Sequence, residues 1–527
     1  MKTNENFINF LYTIYEFFSM APTFNLDFWT QTGSWYSFCF MPELIASISI
    51  ILILSFSLLT KRNWHIAAYA NMIFSWLIIT LMIMLFLIMS NEMWWHLNVT
   101  NAPFYSSNRF ISIPILTLLK IVLIIFTIIL VLLHKRFFVK VSETIEYSII
   151  ILTLTISMLL IISCNDLFLA FLSLELQAIT LYVFLGLKKF SNLAMESAIK
   201  FFIYSAFSSV CFIFGVSLLY ATTGTTSFIF LNNFLFNNDN YIIILACMLI
   251  IFGLLFKLTL GPFYLWVGDI FQGSFAYVAS YFAIVTKLPI LVLISKIIYI
   301  AFLPISDILI SALKLVVIVS IILSSIYALT ELNFRRFWAI SSITNISYIL
   351  LAILMGGVIG HTIAFFYIII YMICTTYIWC IVIFLYKNVI NDLTIYEFII
   401  NLIKFINLHA TRYLIALSNA WILFSLSGLP PGPGFLPKLM IFFSLYMQND
   451  LFIFAIIFAC NLISSAYYLR LSRFFLFDTY LSNKSIDTFK SIPSDIAYVI
   501  AFLFMLNMIT FFIYLELIYI LPLFIYV

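Results

Sequence analysis

The sequence predicts an all-α, polytopic membrane protein of about fourteen transmembrane helices. Hydrophobic residues make up 65% of the 527 positions and charged residues only 9%. Mean hydropathy is +1.17, and the apolar share far exceeds the roughly 45–50% of a soluble domain. Apolar tracts of about 20 residues, the length that crosses a bilayer, recur along the chain. Loop charges alternate from one tract to the next.

The tracts lie near 41–60, 66–89, 111–133, 144–163, 166–187, 196–220, 241–260, 274–300, 306–329, 337–355, 360–386, 412–446, 451–475 and 494–521. Basic clusters follow the odd-numbered ones: Lys61-Arg62, His134-Lys135-Arg136 with Lys140, Lys188-Lys189, Arg335-Arg336, Lys387 through Arg412, and Arg470 through Lys490. The positive-inside rule places these clusters in the matrix or cytoplasm and both termini on the opposite face. The first 40 residues lack a basic segment followed by an apolar core, so no cleavable targeting peptide is expected.

Helix breakers interrupt two tracts. Gly261-Pro262 follows Lys257, and Ser427-Gly-Leu-Pro-Pro-Gly-Pro-Gly434 precedes Lys438. Irregular backbone at membrane depth is tolerated where protein or water satisfies it, so such breaks mark an internal path. Tracts four to eight and nine to thirteen form two blocks of five, each broken in its fourth helix. An odd-numbered block inverts its successor. The predicted domains are an N-terminal extension (1–40), three first helices (41–143), two inverted five-helix repeats (144–300 and 306–475), and a loop with a C-terminal helix (476–527).

Five ionisable residues sit within these apolar tracts: Glu175, Lys200, Lys257, Lys287 and Lys438. A charge at the bilayer centre costs roughly 2.5–3.5 kcal/mol on insertion scales, so it faces protein or water rather than lipid. A series of them points to ion movement through the membrane. Glu175 and Lys200 both lie roughly 16–21 Å from the Lys188-Lys189 turn along their helices, at 1.5 Å per residue, and can meet. Glu196 stands four residues before Lys200, so a local pair is the alternative.

Other features exclude function classes. A net charge of +4 with dispersed basic residues gives no nucleic-acid surface. The seven cysteines form no C-x-x-C set, hence neither a disulfide framework nor an iron–sulfur motif. Gly356-Gly357-x-x-Gly360 follows no strand and reads as a turn. Lys120 and Lys314 are read as interhelix partners or snorkelling side chains, His361 as a packing residue, and Arg335-Arg336 as an anchor on the basic face. Abundant Phe, Ile, Tyr and Asn beside 14 Gly and 13 Pro suggests an AT-biased organelle gene.

Phe171-Leu-Ser-Leu-Glu-Leu-Gln-Ala178, Glu196-Ser-Ala-Ile-Lys-Phe-Phe202, Gly253 through Trp266, Asp269-Ile-Phe-Gln-Gly273 and Leu426 through Lys438 together resemble the antiporter-like subunits of respiratory complex I, of the bacterial N-subunit type. The resemblance covers about 145 to 475; residues 1–40, 90–110 and 390–412 have no counterpart in it. It implies an antiporter-like fold and a proton-translocating subunit of NADH:ubiquinone oxidoreductase in the mitochondrial inner membrane. Both termini would then face the intermembrane space. A free-standing cation/proton antiporter subunit and a non-conducting scaffold are the rival functions.

The resemblance also implies roles. Glu175 and Lys200 correspond to a buried acid–base pair, Lys257 to a central lysine, Lys287 to an onward relay, and Lys438 to the lysine of the second half. Lysine suits such a task because burial brings its proton loss within reach, whereas arginine holds its proton. Tyr264 stands where the family often has histidine, as a hydrogen-bonding post between Lys257 and Lys287. No cofactor is expected in this chain; NADH, FMN, iron–sulfur clusters and ubiquinone would be bound by partner subunits. The implied partners are other membrane-arm subunits, especially neighbouring antiporter-like ones, and membrane lipids, with cardiolipin a candidate.

Overall fold

The computed structural model describes residues 41–59, 66–97, 104–105, 110–135, 141–187, 191–235, 241–388, 412–430, 432–477 and 497–511. The 1–40 extension, most of the basic loops and the end of the last expected span lie outside the described residues.

The described chain is a helical bundle. Its elements are α1 Met41–Leu59, α2 Ile66–Leu97, α3 Pro114–His134, α4 Val141–Ser163, α5 Leu167–Leu185, α6 Asn192–Thr223, the short α7 Phe228–Leu235, α8 Tyr241–Lys257 and α9 Leu265–Gly273. There follow α10 Ala276–Ile284, α11 Lys287–Lys296, α12 Ser306–Thr330, α13 Phe334–Leu354, α14 Gly357–Asn388, α15 Arg412–Ser427, α16 Phe435–Met447 and α17 Leu451–Phe477, then α18 Ala497–Phe511. A two-stranded antiparallel ribbon, β1 Phe104–Tyr105 with β2 Ile111–Ser112, is a small addition to the expected all-α class.

Among the described residues, ten helices are long and apolar enough to cross a membrane. Shorter apolar helices fall within the other four expected tracts, two of which are broken by their Gly-Pro segments, so the structure does not establish the expected count of fourteen. Lipid offers no hydrogen bonds, so a chain this apolar satisfies its backbone within helices. Local signals set several ends. Asp166 accepts from the Phe168 amide at 2.9 Å and caps α5. Gly224, at φ +71°, closes α6 in the left-handed conformation.

The outward face of α6 carries Ile199, Ile203, Phe207, Val210 and Phe214 at helical spacing, all exposed. Such a stripe suits a hydrocarbon surround, in which apolar side chains carry no penalty. In contrast, α13 is buried at every position but Arg336 and forms the centre of the bundle. The second half of the first broken helix, α9, packs on both α6 and α13, and α10 packs on α14. The segments 144–300 and 306–475 thereby pack together along α9, α10, α13 and α14. At the far end, Asn507 of α18 accepts from Trp421 Nε1 of α15 (3.1 Å) and donates to Cys374 Sγ of α14 (3.1 Å).

The expected eighth span is also interrupted, at Val285-Thr286. Pro289 explains it: proline has no N–H to give the Val285 carbonyl four residues back, and its ring crowds that carbonyl. Gln177 Nε2 reaches the neighbouring Thr286 carbonyl at 3.4 Å, and the Tyr371 hydroxyl donates to the Ala283 carbonyl at 3.0 Å. The interruption places Lys287 at the first position of α11.

A buried line of lysines as the candidate functional site

The first expected acid–base pair is rearranged. Lys257 Nζ lies 3.4 Å from Glu175 Oε1 and donates to the Leu174 carbonyl at 3.3 Å. Lys200 turns instead to Glu196 and to Asp269, each at 2.6 Å. Geometry explains the exchange. Glu196 is one turn from Lys200 on α6, and the break after Lys257 swings α9 back so that Asp269 faces the same lysine. Lys257, at the very end of α8, is left beside Glu175. Lys200 is also about one-third exposed, unlike Lys287 and Lys438, which are 3% and 2% exposed.

The break itself is built for close approach. A Cβ on Gly261 would lie 2.9 Å from Ser320 Cα of α12, so only glycine lets the irregular segment rest on that helix. Beyond Lys257, a small cavity of ≈ 30 Å³ is lined by Gln177, Ser205, Lys257, Trp266 and Thr286, among others. It therefore reaches from the Lys257 amine to the residue preceding Lys287. Tyr264 is not on its wall; its ring packs 5.6 Å from that of Tyr327 on α12. The expected post between Lys257 and Lys287 is thus displaced, and Gln177 with Thr286 occupies that place. Tyr264 begins α9 on the far side of the break, where the chain has already turned toward α12.

Lys287 Nζ donates to Ser342 Oγ of α13 at 3.0 Å. Ser342 lines a second, very small cavity of ≈ 10 Å³ with Ser341, Asn345, Tyr371, Tyr468 and Leu426. Asn345 extends this polar ladder, donating to Tyr468 Oη at 3.3 Å and accepting from Tyr367 Oη at 3.1 Å. The Leu426 carbonyl at the cavity edge accepts from Lys438 Nζ at 3.1 Å. Lys438 completes its shell with the Ser427 carbonyl (2.9 Å) and Asn461 Oδ1 (3.0 Å), its amine 5.0 Å from the Tyr348 ring centroid. The second break makes room for this lysine. Gly428 has φ +76°, and a Cβ there would lie 2.5 Å from Lys438 Cδ.

Several polar residues make contacts that the sequence did not assign to them. Asp269 joins Lys200 to Arg336 Nη2 (2.7 Å), tying segments 144–300 and 306–475 together. Arg335 donates to the carbonyls of Gln272 (3.1 Å) and Ser274 (2.7 Å). Arg335-Arg336 is therefore a clasp on the end of α9 as well as a basic-face residue pair. His134, assigned to a basic loop, is fully buried at the end of α3, with Nδ1 2.7 Å from Tyr147 Oη and Nε2 3.1 Å from Ser280 Oγ. Lys296 caps the end of α4 through the carbonyls of Ile162 and Cys164. Asn345 and Asn461 carried one available signal, an amide inside an apolar span.

Lys120 pairs with Glu43 across helices at 3.0 Å, and Lys314 pairs with Asp450, in the turn before α17, at 2.5 Å; of pairing and snorkelling, the structure shows pairing for both. His361 packs edge-on against Tyr299, with ring centroids 4.9 Å apart. Among the described residues, no cluster of three or more His, Cys, Asp or Glu could hold a metal ion.

Comparison with known proteins agrees with this architecture. Residues 164–464 match the family model described as NADH:quinone oxidoreductase/Mrp antiporter, TM. NADH-quinone oxidoreductase subunit N of Pelagibacter ubique is 29% identical over 445 residues, 83% of this chain and 89% of the relative. NADH-ubiquinone oxidoreductase chain 2 of Marchantia polymorpha is 31% identical over 342 residues, 63% of this chain and 68% of the relative. In fold, the chain matches one from respiratory complex I of Thermus thermophilus with a TM-score of 0.71, at 18% identity and 91% and 98% coverage of the two chains. With a buried line of lysines between two broken helices and a match over more than half its length, the chain belongs to the NADH:quinone oxidoreductase/Mrp antiporter transmembrane family.

Proposed function

We propose that this chain is a proton-translocating membrane-arm subunit of NADH:quinone oxidoreductase, respiratory complex I. The carrying observation is the axis from Glu175–Lys257, across the first cavity to Lys287–Ser342, and across the second to Lys438–Asn461. A lysine amine accepts a proton as the ammonium forms and releases it when the neighbouring charge changes. Serine, asparagine and tyrosine groups between the lysines orient water in the cavities and hold excess charge only transiently. Moving one charge against 100 mV takes about 2.3 kcal/mol. Quinone reduction in the assembled complex is the source of that energy.

Redox groups and ubiquinone are assigned to partner subunits. Neighbouring antiporter-like subunits are the proposed lateral partners, and lipids, cardiolipin included, the surround. The composition and the likeness to the Marchantia chain favour the mitochondrial inner membrane, with both termini toward the intermembrane space.

The test is Lys257→Met in the assembled complex reconstituted into vesicles. Protons pumped per NADH oxidised should fall. An unchanged stoichiometry would leave this chain a scaffold. The family also includes the Mrp antiporter, so a free-standing antiporter subunit is the second reading. Comigration of the chain with NADH dehydrogenase activity in native gels separates the two.

A further inference from the structure

A third cavity lies apart from the axis. It is a small cavity of ≈ 30 Å³ between α13, α14, α15 and α17, walled by Phe334, Trp338, Tyr377, Asn419, Leu471 and Phe475 among others. Phe334 begins α13 and Phe475 lies in the last turn of α17, while Asn419 lies midway along α15. The cavity therefore lies toward one end of the bundle, the end to which the sequence assigns the basic loops. Trp338 and Ile378 line both this cavity and the second cavity of the relay axis. They form the partition between the two.

Its polar content is unusual for an otherwise apolar wall. Trp338 Nε1 and Asn419 Nδ2 are both buried donors with no hydrogen-bond partner, on residues 7% and 4% exposed. A buried donor without an acceptor is costly, and the two border the same space. A lipid acyl chain supplies no acceptor for either. A water oxygen does, and at roughly 10–15 Å³ per molecule the cavity has room for about two.

We propose that this cavity is the water-filled intake through which protons reach the relay axis from the basic-loop end, with the Trp338 indole as its inner gate. This rests on the proton-conducting reading above. Trp338 and Asn419 act as positioning residues. Each donates its N–H to a water oxygen, which turns that water's own hydrogens toward the next acceptor. An excess proton then passes along the waters, one O–H bond forming as the next breaks. Past Trp338 it meets the Ser341, Ser342 and Asn345 wall, and it is taken up by a neutral Lys287 amine, which becomes ammonium.

The experiment compares Asn419→Leu, Asn419→Ser, Trp338→Phe and Lys287→Met in the assembled complex in vesicles, measuring NADH-driven proton pumping. Asn419→Leu and Trp338→Phe should slow pumping about three- to tenfold, the equivalent of one lost hydrogen bond. Asn419→Ser, which keeps a donor, should restore most of it. A cryo-EM map of the complex should show water density within hydrogen-bonding distance of Trp338 Nε1 and Asn419 Nδ2. Trp338→Phe keeps the ring's bulk and preserves the test if Asn419→Leu fails to assemble. Normal pumping in Asn419→Leu and Trp338→Phe, with Lys287→Met impaired, would overturn the intake while leaving conduction intact. Normal pumping in all four would sink the conducting reading itself. Acyl-chain density filling the cavity would also overturn the proposal.

Discussion

Glu175 faces Lys257 across 3.4 Å, not Lys200, which is held by Asp269 at 2.6 Å. The acid of α5 is thereby attached to the central lysine at the break, and the lysine of α6 to the clasp between α9 and α13.

A double-mutant cycle separates these attachments. Glu175→Gln and Lys257→Met should be coupled in pumping rate by roughly 0.5–3 kcal/mol, the range for residues in contact. Glu175→Gln and Lys200→Met should combine additively within about 0.5 kcal/mol, as expected for groups without a shared partner. Strong coupling in the second cycle would mean that the working state re-forms the Glu175–Lys200 pair.

Tyr264 lies outside the cavity between Lys257 and Thr286, whereas Gln177 lines it. Tyr264→Phe keeps the ring against Tyr327 and should leave proton stoichiometry unchanged. Gln177→Leu frees the Thr286 carbonyl and makes the wall apolar, so pumping should fall several-fold, about the effect of one hydrogen bond. Vesicle pumping assays on both variants decide the matter, and the reverse order would return the relay role to Tyr264.

Gly428 and Gly224 both have positive φ, but only Gly428 has Lys438 within reach of an added Cβ. Gly224→Ala should cost backbone strain alone, of order 1 kcal/mol. Gly428→Ala adds displacement of the Lys438 side chain and should lower both the melting temperature of the purified complex and its pumping. Equal effects of the two substitutions would show that Lys438 has another position open to it.

Glu43 and Lys120 are a buried pair, 7% and 10% exposed at their side chains, and Glu43 Oε2 has no partner. Removing the lysine alone leaves an uncompensated carboxylate, a loss of about 3–5 kcal/mol for a buried pair. Lys120→Met should therefore reduce assembled complex sharply, and the double variant Glu43→Leu, Lys120→Met should recover most of it. Quantifying complex in membranes by native gel tests this; a double variant as poor as the single one would assign the pair a role beyond charge balance.

Hydropathy and helix breakers made most of the architecture legible in one dimension. The α4–α6 and α12–α14 spans, the breaks after Lys257 and before Lys438, and the burial of Lys287 and Lys438 are all local consequences of apolar runs that must satisfy their own backbone. Pro289 also stood in the sequence, yet the side chains that reach the carbonyls beside the interruption at Val285-Thr286, Gln177 to Thr286 and Tyr371 to Ala283, are placed by packing between helices. His134 read as a loop residue because the boundary of an apolar run says nothing of what packs across its end.

The sequence by itself determined that charges lie inside the membrane and on which helices, because the cost of a charge in lipid is a property of each segment. Beyond the Glu196–Lys200 pair, which one turn of α6 sets, only the tertiary structure decided which partner each charge takes. That choice turns on where the break after Lys257 directs α9, which brings Asp269 to Lys200 and Arg336 and leaves Lys257 to Glu175. An ångström-scale choice among carboxylates is a property of how helices cross, and no single helix encodes it.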